Sequence, residues 1–200
     1  MTTIHYVDFN GIIERAQKLN TDIIMLIMDE RIWPVYKERL PLEQKLTGKK
    51  ILFWRSAQGE NCKKLSEYER CVEFFLEKGI HRQAHILAVG GGATSDFAGF
   101  VASTILRGIS WSVVPTTLLS MVDAAIGGKV ALNSRFGKNL VGAFHPPHEV
   151  WINSTFLQSL SPEEIVSGKG EIIKYAFLDK NIFQQIISGA KIEDVIRSCV

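Results

Sequence analysis

Short, largely apolar runs recur along the chain, and stretches of mixed polarity separate them. Ile23 to Met28 is one such run, Ile51 to Trp54 a second, and His85 to Val89, which stops at Gly90, a third. Trp111 to Val114, closed by Pro115, and Glu149 to Ile152, after the Pro146-Pro147 break, complete the set. Runs this short and this apolar predict strands covered on both faces. Between the second and third, Cys62 to Lys78 sets Leu65, Val72, Phe75 and Leu76 among charges, the period of a helix that stops at Gly79. Strands alternating with amphipathic helices predict a doubly wound, Rossmann-like parallel α/β sheet. After Leu160 the pattern becomes helical without intervening strands. Ser161-Pro162-Glu163-Glu164 offers an N-cap, a proline at the first helical position and acids in the first turn, and Phe183 to Val200 reads as continuing helix. The expected organisation is an α/β domain over 1–160 followed, over 161–200, by the first helices of an all-α second domain.

Composition narrows the class. The chain has 200 residues, 46% hydrophobic and 22% charged, with a formal charge of only +2. An ordinary soluble domain fits these values, and no general field favours nucleic acid or an anionic membrane. Cys62, Cys71 and Cys199 are odd in number and lack metal-type spacing, so neither a disulfide framework nor a cysteine zinc site is expected. The opening residues carry no basic segment followed by an apolar run, and no stretch approaches the roughly 20 uncharged residues of a membrane span. A cytoplasmic location is expected.

Four segments carry candidate chemistry. In HILAVGGGATSDFAGFVASTIL, His85 to Leu106, a strand runs into three glycines and then directly into a small-residue helix. Such a turn lets a diphosphate approach the backbone while the helix N-terminus supplies N–H groups and positive dipole; a tight strand–helix connection is the plain alternative. Asp29 falls at the end of the first strand, where an acid can accept from ribose hydroxyls or simply cap a helix. Glu60 and Lys63 follow the second strand, with the same two readings. The block from Val114 to Pro147 contains Pro115-Thr116-Thr117, Asp123, Gly127-Gly128-Lys129 and Gly137-Lys138-Asn139. Two lysines, each preceded by glycine, in a loop-like region suit an anionic ligand, although solvated surface lysines are the commoner case. In GKGEIIKYAFL, Glu171 and Lys174 stand three apart on one face of a helix, as a surface ion pair or as a metal ligand beside a substrate contact. The five histidines have no metal-type spacing with a carboxylate, so a metal on Glu171 needs other ligands from elsewhere.

Taken in order, these segments resemble the dehydroquinate synthase family. GGGATSDFAGF is similar to its GGG-x-x-x-D-x-x-G-F loop, and ILRGISWSVVPTTLLSMVDAAIGGKVALN to its R-G…P-T-T-L-L…V-D-x-x-x-G-G-K segment. FGKNLVGAFHPP matches G-K-N-x-x-G-x-F, and SGKGEIIKYAF matches G-x-x-E-x-I-K-Y. The likeness covers roughly Asp29 to Lys174. It implies that Asp29, Glu60, Lys63, Gly91, Gly92, Ala93, Asp96, Thr116, Thr117, Leu119 and Ser159 lie along NAD, with Asp123 near the reacting part of cofactor and substrate. It implies that Lys129, Lys138, Asn139 and Lys174 surround a sugar phosphate substrate, that Arg107 reaches the neighbouring subunit's phosphate site in a homodimer, and that Glu171 ligates a catalytic divalent metal, zinc or cobalt. The implied reaction converts 3-deoxy-D-arabino-heptulosonate 7-phosphate to 3-dehydroquinate and phosphate, with NAD recycled.

Departures are Ala124-Ala125 in place of frequent serines, Ser159 in place of threonine and Gly170 in place of alanine. In the family, two further metal-binding histidines come from the later helical domain, so these residues by themselves are expected to bind metal weakly and to lack cyclase activity. Rival readings are another sugar phosphate cyclase, a metal-dependent glycerol dehydrogenase, and a nucleotide-binding module without catalysis.

Overall fold

A computed structural model describes residues 2–200. In chain order its elements are β1 (Thr3–Tyr6), α1 (Phe9–Lys18), β2 (Ile23–Asp29), α2 (Ile32–Tyr36), α3 (Leu42–Lys45), β3 (Lys50–Ser56) and α4 (Leu65–Glu77). There follow β4 (His85–Gly90), α5 (Gly92–Thr104), β5 (Ser110–Pro115), β6 (Lys129–Ser134), β7 (Gly137–Phe144) and β8 (Glu149–Ile152). The last are helices α6 (Pro162–Leu178), α7 (Lys180–Ile187) and α8 (Ile192–Cys199). Six strands form one sheet in the order β1-β8-β5-β4-β2-β3, parallel throughout. All seven residues of β2 and all six of β4 are buried, which is why they read as unbroken apolar runs. The five strands expected from the sequence are present, and β1 adds a sixth at the edge beside β8.

The winding direction decides where a ligand can sit. From β2 the chain steps outward to β3, returns past β2 to β4, and continues the other way through β5 and β8. It reverses between β2 and β4, so the carboxyl ends of these two strands border the crevice in which open α/β sheets take ligands.

Helix α5 occupies the centre of the molecule, between the sheet and the β6–β7 hairpin. It is buried nearly all round because its residues are small where neighbours press in. A Cβ at Gly99 would lie 2.3 Å from Val130 Cγ1 and 2.8 Å from the Trp111 ring. Helix α6 begins with the capping box that Ser161 and Glu164 promise, and Gly168 lets it approach the Leu118 side chain. Val195 and Ile196 of α8 are buried, and Arg197 stacks on the Tyr6 ring at 3.8 Å. Helices α6 and α8 thus pack against the α/β layer, and α7 packs on α6 and α8.

Three sequence expectations need correction. The single helix over 62–78 is a 3-10 turn, Gly59–Lys63, followed by α4, because Lys64 is extended and separates the two. The continuous helix over 183–200 is α7 and α8, broken at Gly189 with φ +69°. The loop-like region holding the two Gly-Lys pairs contains an antiparallel two-stranded sheet, β6 with β7. Among the described residues no helix is long and apolar enough to cross a membrane.

Candidate functional site

At the switch point β4 ends on Gly90, Gly91 takes the N-cap position and α5 starts at Gly92, so no linker intervenes. No side chain caps α5, which leaves its first N–H groups to whatever occupies the crevice. The glycines are required by packing. A Cβ on Gly90 would strike Thr94 at 2.6 Å, and one on Gly91 would strike Thr117 Cγ2 at 2.9 Å. Thr94 itself is buried and its hydroxyl has no partner. Around the neighbouring strand ends, Asp29, Thr116, Thr117 and Ser159 line one cavity of about 80 Å³ with Arg31, Ile32 and Leu160. Asp29 is buried, and its Oδ1 accepts from the Arg31 backbone N–H at 2.9 Å. It therefore fixes the turn into α2 as well as facing the cavity. Leu119 is half-buried on the same connection.

A second group forms where the hairpin meets α5 and the 3-10 turn. The Lys63 ammonium is almost entirely buried, 2.5 Å from Asp96 Oδ2 and also bonded to Asn139 Oδ1. Burial pushes the Asp96 carboxyl up, and the hydrogen bond from Lys63 opposes that shift. Asn133 Nδ2 donates to Glu60 Oε2 at 2.7 Å, and its Oδ1 accepts from the Asn139 backbone N–H at 3.0 Å. Lys138 Nζ stands 3.8 Å from Glu60 Oε2. Lys129, Asp96 and Asn139 line an adjoining cavity of about 400 Å³. The residues expected along the cofactor, Glu60, Lys63 and Asp96, thus touch those expected around the substrate, Lys138 and Asn139. Sequence reading passed over Asn133 and Arg31; the signal for Asn133 was its place at the end of the Gly-Gly-Lys segment.

Glu171 and Lys174 form an ion pair on α6, as their spacing predicts. That hydrogen bond raises the Lys174 ammonium above its ordinary value. Tyr175, the next residue, donates its hydroxyl to the Val122 carbonyl at 3.3 Å, which brings this face of α6 beside the exposed Asp123. Glu171 offers one carboxylate, and among the described residues no group of three or more His, Cys, Asp or Glu is placed to hold a metal. A catalytic metal needs about three protein ligands, so these residues alone do not fit one.

Arg107 is not brought to the others. It precedes β5, at the opposite end of the sheet from Gly91 and Thr116, with its backbone at φ +68°. There it lines a cavity of about 650 Å³ with Arg82, His145 and His148.

A parallel sheet with a glycine-lined helix N-terminus at its switch point defines a Rossmann-like α/β protein. The family model for the 3-dehydroquinate synthase N-terminal region matches residues 54–167, more than half of the 200, and the chain belongs to this family. It is similar to a 3-dehydroquinate synthase from Staphylococcus epidermidis, 42% identical over 161 residues that make up 80% of this chain and 44% of that protein. Among solved structures it resembles 2-deoxy-scyllo-inosose synthase complexed with carbaglucose-6-phosphate, NAD+ and Co2+, with TM-score 0.75, 29% identity, and cover of 86% of this chain and 48% of that one. It also resembles 2-epi-5-epi-valiolone synthase from Streptomyces hygroscopicus with NAD+ and Zn2+ bound, with TM-score 0.80, 26% identity, and cover of 100% and 59%. The chain spans about half the length of the curated relatives it matches.

Proposed function

We propose that this chain carries the NAD-binding part of a 3-dehydroquinate synthase, an enzyme that converts 3-deoxy-D-arabino-heptulosonate 7-phosphate to 3-dehydroquinate and phosphate. One observation carries the reading: Asp29, Thr116, Thr117 and Ser159 line a single cavity at the switch point, beside the uncapped N-terminus of α5. The first-turn N–H groups of α5 and its dipole neutralise a diphosphate. Asp29 offers to ribose hydroxyls its Oδ2, which among the described residues accepts only the long 3.4 Å bond from the Arg31 guanidinium. NAD, when bound, supplies a hydride acceptor that returns the hydride later in the same turnover.

Lys129 and Lys138 present ammonium groups on the hairpin to a substrate bearing phosphate and carboxylate, and hold it in register by charge. Asp123 lies beside the face of α6 that carries the Glu171–Lys174 pair. Glu171 serves as one ligand of a divalent metal in the complete enzyme, and Arg107 serves the phosphate site of a second subunit in a cytoplasmic homodimer. With one candidate metal ligand in the described residues, this 200-residue chain assayed alone should release no phosphate. Another sugar phosphate cyclase is the second reading, favoured by the two cyclase structures above.

Calorimetric titration with NAD tests the first claim. The folded chain should bind it, and Gly91→Ala, whose Cβ would press on Thr117, should weaken binding about tenfold, 1.4 kcal/mol. Absence of NAD binding by the folded wild type would overturn the reading. Turnover of the complete enzyme with sugar phosphates that have and lack a carboxylate separates the two cyclase assignments.

A further inference from the structure

We propose that Asn133 is a positioning residue that locks the β6–β7 hairpin to the 3-10 turn, so that the two halves of the candidate site are set by one side chain. The hairpin ladder slips between Leu132 and Ser134, and Asn133 falls at the irregularity. A bulge takes a residue out of the ladder and re-aims it, and bulges gather beside functional sites for that reason. Instead of pairing across the hairpin, the Asn133 backbone bridges Lys64 in the parallel sense. Its carboxamide then reaches both ways. The amide nitrogen donates to Glu60 and the amide oxygen accepts from the Asn139 N–H.

That second bond holds Asn139 at φ +59°, a left-handed conformation that asparagine tolerates better than most residues. In this conformation Asn139 Oδ1 meets the Lys63 ammonium, which also bonds Asp96. Glu60, Asn133, Asn139, Lys63 and Asp96 are thereby one connected chain of hydrogen bonds. Only a group with both a donor and an acceptor can occupy its middle. An aspartate there keeps the bond to Asn139 and sets a carboxylate against Glu60; an alanine loses both bonds.

The test uses two readouts on the 200-residue chain: hydrogen exchange without ligand, and NAD titration. Only the second rests on the proposed function. Asn133→Asp should speed exchange in the 59–64 turn and at Asn139, and weaken NAD binding about tenfold. Adding Glu60→Gln supplies a donor to the new carboxylate and should restore both readouts to within about threefold of the Glu60→Gln single variant. A merely space-filling Asn133 would show no such rescue. Wild-type exchange and affinity in Asn133→Asp, or a double variant no better than Asn133→Asp alone, would overturn the proposal. Asn133→Ala, read by the same exchange, decides the matter if the carboxylate variant does not fold. If the wild type binds no NAD, the proposed function falls while the exchange result still decides the lock.

Discussion

The glycine turn after β4 and the β6–β7 hairpin hold the same helix, α5, by different means. At the turn everything is shape. The contacts are backbone to side chain, the neighbours are Thr94 and Thr117, and there is no room for a methyl group on Gly90 or Gly91. At the hairpin the apolar fit of Val130 and Leu132 is joined by directed polar bonds around Lys63, while Phe136, Leu140 and Phe144 stay exposed. Steric fit fails abruptly when volume is added, whereas a hydrogen-bonded network loses its members one bond at a time. The same helix is therefore fixed rigidly at its beginning and adjustably along its side.

The largest effect is expected where the hairpin, too, meets α5 through shape alone. Gly99→Val places side-chain atoms where Val130 and Trp111 already sit, and should cost about 4 kcal/mol or prevent folding, as measured by chemical denaturation. A stability within about 1 kcal/mol of wild type would show that the hairpin yields freely there.

The next effect probes the rigid side through pH. His85, at the start of β4, is buried, with its ring 3.0 Å from Ser112 Oγ, and burial lowers its pKa to about 4. The unfolded chain takes up a proton below about 6.5 and the folded one only below about 4, so stability is present above the unfolded value and is lost as pH falls through that window. The loss should reach about 3 kcal/mol and be largely absent in His85→Gln. Equal slopes in the two proteins between pH 4 and 6.5 would refute it.

The smallest of the three concerns the adjustable side. Lys63→Ala leaves Asp96 half-sheltered without its cation and should cost about 2 kcal/mol, less than a fully buried pair because Asp96 keeps some exposure. Asp96→Asn added to Lys63→Ala should recover part of that loss, since the orphan charge is gone. No recovery would assign the cost to lost packing of the lysine stem.

The same contrast explains what could be read from the sequence. The turn was legible because apolar strand, glycines and small-residue helix follow each other without a gap, and each has its own local signal. Asp29 was found from its place at a strand end, Thr116, Thr117 and Ser159 through the resemblance, and the four are brought together by strand order, which no local pattern encodes. The hairpin was read as loop because β7 has no buried residue to set an alternation, and β6 buries only Val130 and Leu132. The break at Gly189 was passed over because Ile192, Val195 and Ile196 keep the apolar spacing going on its far side. Strand β1 was missed for a related reason: Thr3–Tyr6 is a half-exposed edge whose partner is distant in the chain.

That edge strand has a consequence for how the molecule comes into being. Thr3 pairs with Glu149 and Tyr6 with Ile152, and Arg15 on α1 pairs with the same Glu149 at 3.0 Å. At translation speeds of about 5–20 residues per second, β1 leaves the ribosome roughly 7 to 30 seconds before its neighbour exists. During that interval an open β-edge is free to meet a chaperone or another nascent chain, so a strand made well before most of the sheet is among the last parts placed.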